Sequence, residues 1–203
     1  MARPAGRRNA DYEAKRAALI AALTELTLST PALRPSLRHW AHACGVTEPT
    51  LKHYFGDREG VAVAILEEIG VRSRSLLEAV AEPAPNLEQA IDTYIALSKI
   101  GLHNGAFARA HCFGIVEGVA HPDVGRAYLT HLLEPSLAAL EARLAPFSAG
   151  GASDASTRGA ALALFAPLLL AVVHQQALGG AATAPMDVDA VFDKVGALLR
   201  TPR

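Results

Sequence analysis

Between Ser36 and Glu59 the chain carries a pattern that few folds accommodate: two short helical segments with only Gly45-Val46 between them. In the first, Leu37, Trp40, Ala41 and Cys44 recur at i, i+3, i+4 and i+7, so four apolar side chains share one face. Pro35-Ser36 offers it an N-cap, and Gly45 most easily supplies the backbone geometry needed just past its end. Thr47 can cap the second segment by accepting from a free backbone N–H, and Pro49 is tolerated in the first turn, where its missing N–H would have had no partner. Leu51, Tyr54 and Phe55 then make an inward face. Gly56-Asp57 stops that helix and caps a fourth, whose Val61, Ala62, Ile65, Leu66 and Ile69 rows continue toward Ala81.

The rest of the chain keeps the helical period. Leu19, Ile20, Leu23 and Leu26 mark a first helix from Asp11 to Leu28, ended by Ser29-Thr30-Pro31. Glu82-Pro83-Ala84-Pro85 is the clearest boundary, and Asn86 with Gln89 three residues on resembles a capping box before a helix carrying Leu87, Ile91, Tyr94 and Ile95. Later breaks at 104–105, 121–123, 148–156 and 179–180 suggest five further helices, the last from about Val188 to Leu199. No strand-like alternation and no long internal repeat is visible. Aromatics are 5% of the 203 residues and hydrophobic residues 51%, so the core must be built mainly from Ala, Leu and Val, a mixture that favours helices. The expected fold is all-α: an N-terminal three-helix helix-turn-helix unit over residues 1–71, with its motif at about 36–55, and a C-terminal helical unit over 72–203.

Charge separates the two units. Residues 1–58 hold nine Lys or Arg against five acids, a balance of +4 in a chain whose formal charge is -1. The remainder carries -5, and such asymmetry suggests an anionic partner for the first part. A helix read by the major groove needs a polar outer face and a second helix packed rigidly across it. Packing the first helix on Val46, Leu51 and Phe55 leaves Glu48, Thr50, Lys52 and His53 facing outward. The N-terminus of that helix, behind Thr47, is a place where unpaired N–H groups and the helix dipole favour a phosphate.

The run Gly45-Val46-Thr47-Glu48-Pro49-Thr50-Leu51-Lys52-His53-Tyr54-Phe55-Gly56-Asp57-Arg58-Glu59, preceded by Ser36-Leu37-Arg38-His39-Trp40-Ala41, closely resembles the TetR family of bacterial one-component regulators. Close matching covers about the first third of the chain. The resemblance implies a non-enzymatic transcription regulator, a repressor released from a palindromic double-stranded operator by a small organic effector; the basic N-terminus runs into charged residues rather than an apolar stretch, so it is read as no secretory signal and the protein as cytoplasmic. The resemblance also implies a homodimer through the last two long helices, with two reading helices about one DNA turn apart. Carried over by position, the DNA-contacting residues are Ser36, Thr47, Glu48, Pro49, Thr50, Lys52, His53, Tyr54 and Arg58, the last meeting the backbone at the start of helix four. Lys52 stands where the family has an aromatic, and Trp40 replaces a smaller aliphatic, so the operator sequence is not inherited with the frame. Glu48 either accepts from a cytosine amino group or repels phosphate. The basic residues Arg3, Arg7 and Arg8 either enter a minor groove or form a solvated tail.

The middle helices are then expected to enclose the effector, with Tyr94, His103, His111, Phe113, Glu117, Tyr128 and Phe165 as candidate walls. His103, His111, Cys112, Glu117 and His121 also include metal-ligand types, but adjacent residues such as His111 and Cys112 point about 100 degrees apart on a helix, so no metal and no cofactor is expected. Cys44 and Cys112 lack any CxxC spacing. Pro135 and Pro167 interrupt helical stretches, as ordinary breaks or as kinks around a cavity. The apolar run Ala160 to Val173 is shorter than a bilayer span and contains a proline, so it is read as buried in a core or against a partner, with no membrane role. An enzyme is disfavoured by the absence of GxSxG, HExxH, a phosphate loop and a dinucleotide turn. The remaining alternative is a small helical ligand-binding protein or enzyme with a vestigial helix-turn-helix.

Overall fold

The structure is a computed structural model that describes residues 5–29, 34–148 and 155–200, with the backbone alone for 5–9, 103 and 104. Arg3 lies outside the described residues, as do the side chains of Arg7, Arg8 and His103. Among the described residues there is no strand. The helices are α1 (Ala5–Ser29), α2 (Leu37–Ala43), α3 (Glu48–Phe55), α4 (Arg58–Ala81), α5 (Leu87–Asn104), α6 (Ala106–Ala120), α7 (Pro122–Tyr128), α8 (Glu134–Leu144), α9 (Ala155–Gln176), α10 (Gly180–Thr183) and α11 (Val188–Arg200).

Local chemistry sets the ends of the elements around the motif. Ser36 accepts from the His39 N–H, Thr47 from the Thr50 N–H, Asp57 from the Gly60 N–H and Asn86 from the Gln89 N–H, so four helices start at side-chain caps. The end of α2 is a Schellman motif: Gly45 takes φ +65°, its N–H donates to the His42 carbonyl, and the Val46 N–H donates to the Ala41 carbonyl. That geometry turns the chain from α2 into α3 within four residues, and it requires a left-handed backbone that glycine adopts without strain.

Two buried clusters organise the rest. One joins α1–α4 to α6 and α7 around Trp40, Leu23, Leu51, Ile65, Leu66 and Phe113, all fully or almost fully buried. The other joins α5, α8, α9 and α11 around Ile91, Leu137, Leu140, Leu164 and Phe192. Helix α4 contributes to both, running without interruption from Arg58 to Ala81 and ending under Arg143, whose guanidinium donates to the Val80 (2.5 Å) and Ala79 (2.8 Å) carbonyls. A cation over those last carbonyls satisfies groups that the helix itself leaves open.

A π turn over Leu129–Leu133 and the single-turn α10 are not among the elements that the spacing suggests. The π turn has a physical cause at Pro135. In a regular helix the proline ring would collide with the carbonyl four residues earlier, that of His131, and the wider turn relieves the collision. Gly70 of α4 makes room for the resulting bulge: a Cβ there would stand 2.7 Å from the His131 carbonyl oxygen. The apolar run of α9 lies within a helix of 22 residues, long and apolar enough to cross a membrane by length and composition. Its Ala161, Leu164, Phe165, Leu168 and Val172 are nevertheless buried in the second cluster, as in a core helix.

Candidate nucleic-acid interface and effector cavity

Helix α3 presents the surface that the spacing predicts. Leu51 is fully buried beneath it, whereas Pro49, Lys52 and His53 are exposed and Glu48 and Thr50 half-buried. Thr47 and Thr50 hold each other at the helix start, their hydroxyl oxygens 2.9 Å apart. Ser36 is exposed at the start of α2 and occupied as its cap. Tyr54 is half-buried, its ring 4.7 Å from Tyr12 of α1 and 5.1 Å from His53, and Tyr12 also meets His53 edge-on at 5.6 Å. Tyr12 thus joins the outer surface of α3, a placement that no spacing along α1 signals, because the neighbours lie some forty residues on. Arg16 of the same helix lies over the Phe55 ring at 5.4 Å.

Arg58 departs from expectation. Instead of pointing to a DNA backbone it turns inward, donating from both terminal nitrogens to Glu117 of α6 at 2.8 and 2.6 Å and from Nε to the Pro35 carbonyl at 3.0 Å. Its guanidinium lies 5.3 Å above the Trp40 ring, a cation–π contact. These Glu117 hydrogen bonds raise the Arg58 pKa further. Glu117 is completely buried and Arg58 one-fifth exposed, so the pair forms a bidentate bolt between the helix-turn-helix and α6. Arg34 adds a weaker contact to Glu117 at 3.7 Å, and His121 lies 3.5 Å from Glu59 at the edge of the same cluster. The structure does not place Glu117 on the expected effector wall: the carboxylate faces Arg58 at the start of α4.

A cavity of about 260 Å³ lies between α4, α5, α6, α8, α9 and the π turn. Tyr94, His111 and Phe165 line it, as expected. Phe113 does not, since it is buried against Trp40 at 6.5 Å between ring centroids. Tyr128 stands behind His111, its hydroxyl 2.8 Å from Nδ1. Sequence reasoning missed Phe107, Ser98 and His131, all on the wall. Phe107, His111 and Phe165 form an aromatic cluster with centroids 4.4 to 6.3 Å apart. Burial lowers the His111 pKa to about 4 and pushes the Tyr94 and Tyr128 phenols up, so all three are neutral near pH 7. Among the described residues no group of three His, Cys, Asp or Glu side chains converges as a metal site would require.

No family model and no curated protein sequence matches the chain. Its backbone is similar to a crystal structure from Mesorhizobium loti assigned to the TetR family of transcriptional regulators, with a TM-score of 0.62 over 93% of this chain and 96% of that one. The two sequences are 17% identical. The chain shares the all-helical fold of that structure.

Proposed function

We propose that this chain is a sequence-specific DNA-binding transcriptional regulator, a repressor that leaves its operator when a small organic molecule fills the cavity. The observation that carries the reading is the continuity of α6, which puts His111 on the cavity wall, Phe113 on Trp40 and Glu117 on Arg58. A shift of α6 on filling the cavity would act on the element that seats α2 and α3.

The DNA-facing set is Ser36, Thr47, Glu48, Pro49, Thr50, Lys52, His53 and Tyr54, with Tyr12 beside them. A homodimer through α9 and α11 accounts for apolar side chains that the single chain leaves open: Leu162 and Leu170 on one side of α9 are 42% and 66% exposed, and Leu198 of α11 is 65% exposed. No catalytic role is assigned, and a soluble, cytoplasmic protein is the matching context.

Selection from random duplex DNA at modest salt tests the proposal. The expected product is an inverted repeat bound in the nanomolar range, with affinity falling steeply as salt rises because several phosphates are contacted in each half-site. Thr50→Ala and Tyr54→Ala are expected to weaken that binding while leaving the cavity's affinities unchanged. Selection without an enriched palindrome would sink the proposal and favour a ligand-binding protein with a vestigial motif.

A further inference from the structure

We infer that the cavity takes a small, uncharged ring compound, apolar over most of its surface, with one oxygen that accepts a hydrogen bond from Nε2 of His111. The inference deepens the proposed function by naming the chemical class of the effector, and rests on that reading only for its consequence at DNA.

The wall offers apolar and aromatic surface with very little free polarity. Leu77, Val80, Leu97, Phe107 and Phe165 are among its apolar lining. The polar groups are largely occupied by the protein itself. Ser73 donates to the Ile69 carbonyl and Ser136 to the Leu132 carbonyl within their own helices, at 2.8 and 2.7 Å. The Tyr94 hydroxyl is bonded to Ser98. Arg72, the one Lys or Arg side chain on the wall among the described residues, is held by Glu68 at 2.8 Å and by Glu25. An anionic ligand would therefore have to break an ion pair already made, or be buried without a partner, and burial of an unpaired charge is strongly unfavourable.

His111 and His131 are the exceptions, and His111 is the deeper of the two, His131 being half-buried. His111 is 3% exposed, lines the cavity, and uses one ring nitrogen for Tyr128. The direction of that hydrogen bond follows from counting protons. The buried Tyr128 phenol keeps its proton and has no second acceptor among the described residues, so its O–H donates to Nδ1. The neutral imidazole then carries its single hydrogen on Nε2, which has no protein acceptor among the described residues. A ligand oxygen that accepts, such as a ketone or ether, completes the pair. The ring character comes from the Phe107–His111–Phe165 cluster, whose edges and faces suit a planar or alicyclic skeleton. The volume of about 260 Å³ lies just below the usual range for ligand pockets, which sets the size at one or two rings.

Three probes of nearly one shape test this by isothermal calorimetry on the full chain without DNA: methyl naphthyl ketone, isopropenylnaphthalene, which puts C=CH2 in place of C=O, and naphthoate. The ketone should bind about fivefold tighter than isopropenylnaphthalene, the return on one neutral hydrogen bond, and at least about tenfold tighter than naphthoate. His111→Phe should bring the ketone down to the affinity of isopropenylnaphthalene, while His111→Gln, which keeps an N–H donor, should restore the preference. Isopropenylnaphthalene binding by the variants reports that the cavity is intact. If His111→Phe does not fold, the order of the three probes on the native chain decides alone.

Naphthoate binding as tightly as the ketone, which would assign the wall to Arg72 or His131, overturns the inference. So does a ketone preference that survives His111→Phe, or no binding by any probe. These readings need no operator, so their failure leaves DNA recognition standing, and a failed DNA selection leaves their order unchanged.

Discussion

The Arg58–Glu117 bolt yields an asymmetric prediction. Replacing Arg58 by Met leaves the Glu117 carboxylate fully buried, with only Arg34 Nε at 3.7 Å in place of two hydrogen bonds of 2.8 and 2.6 Å. Breaking a buried pair in this way typically costs about 3–5 kcal/mol, and the complete burial of the survivor places this case near the upper end. Replacing Glu117 by Met leaves Arg58 instead, one-fifth exposed, still bonded to the Pro35 carbonyl and still above Trp40. That cation can take up water, so the expected loss is smaller, about 2–3 kcal/mol. For a chain of this size each kcal/mol moves the melting temperature by about 2–4 °C, which predicts a fall of roughly 8–20 °C for Arg58→Met and about 4–12 °C for Glu117→Met. The double variant removes both charges and should recover at least about 2 kcal/mol relative to the sum of the singles. Chemical denaturation of the four proteins measures all three quantities. Single losses below about 1 kcal/mol, a reversed order, or strict additivity would refute the reasoning that a buried bidentate pair seats the helix-turn-helix.

Other outcomes follow from individual contacts. Thr47→Ala should lower stability by about 1 kcal/mol through loss of the α3 cap, read by denaturation, and should weaken operator binding as well. Gly70→Ala should cost about 1–3 kcal/mol, because the new Cβ would press on the His131 carbonyl at 2.7 Å; an unchanged denaturation midpoint would show that the π turn yields freely. His111 is neutral in the fold down to about pH 4, whereas in the unfolded chain it gains its proton near pH 6.5, so acid favours unfolding. Its contribution, of order 3 kcal/mol, is complete above pH 6.5 and fades as pH falls toward 4; the adjoining Tyr128 and Cys112 stay neutral across that window, and His111→Gln should flatten the slope.

What was legible in the sequence is what short-range chemistry decides. The caps at Ser36, Thr47, Asp57 and Asn86 each act across three residues, and the Schellman turn at Gly45 across five, so their partners stand in the same stretch of sequence. Amphipathic spacing likewise placed Leu37, Trp40, Ala41 and Leu51 in the core. The partner of Arg58 lies 59 residues away, and nothing in local spacing distinguishes a guanidinium that meets phosphate from one that turns back to a buried carboxylate. The same limit applies to Tyr12 beside Tyr54 and to the cavity. Tyr94, His111 and Phe165 are candidate walls through the family resemblance, because spacing alone does not give their direction; which side chains border a void and which pack on Trp40, as Phe113 does, depends on how α4, α6 and α9 meet. Pro135 marked an irregularity, while the form it takes, a π turn that brings His131 to the cavity wall, follows only from the neighbouring α4.

The most direct test of DNA reading is hydroxyl-radical footprinting of the selected operator with and without a cavity ligand. The account predicts two protected backbone patches on one face of the duplex, centred about one helical turn (10–10.5 base pairs) apart and lost together when the ligand is added. A single patch, or protection that the ligand leaves unchanged, would contradict it.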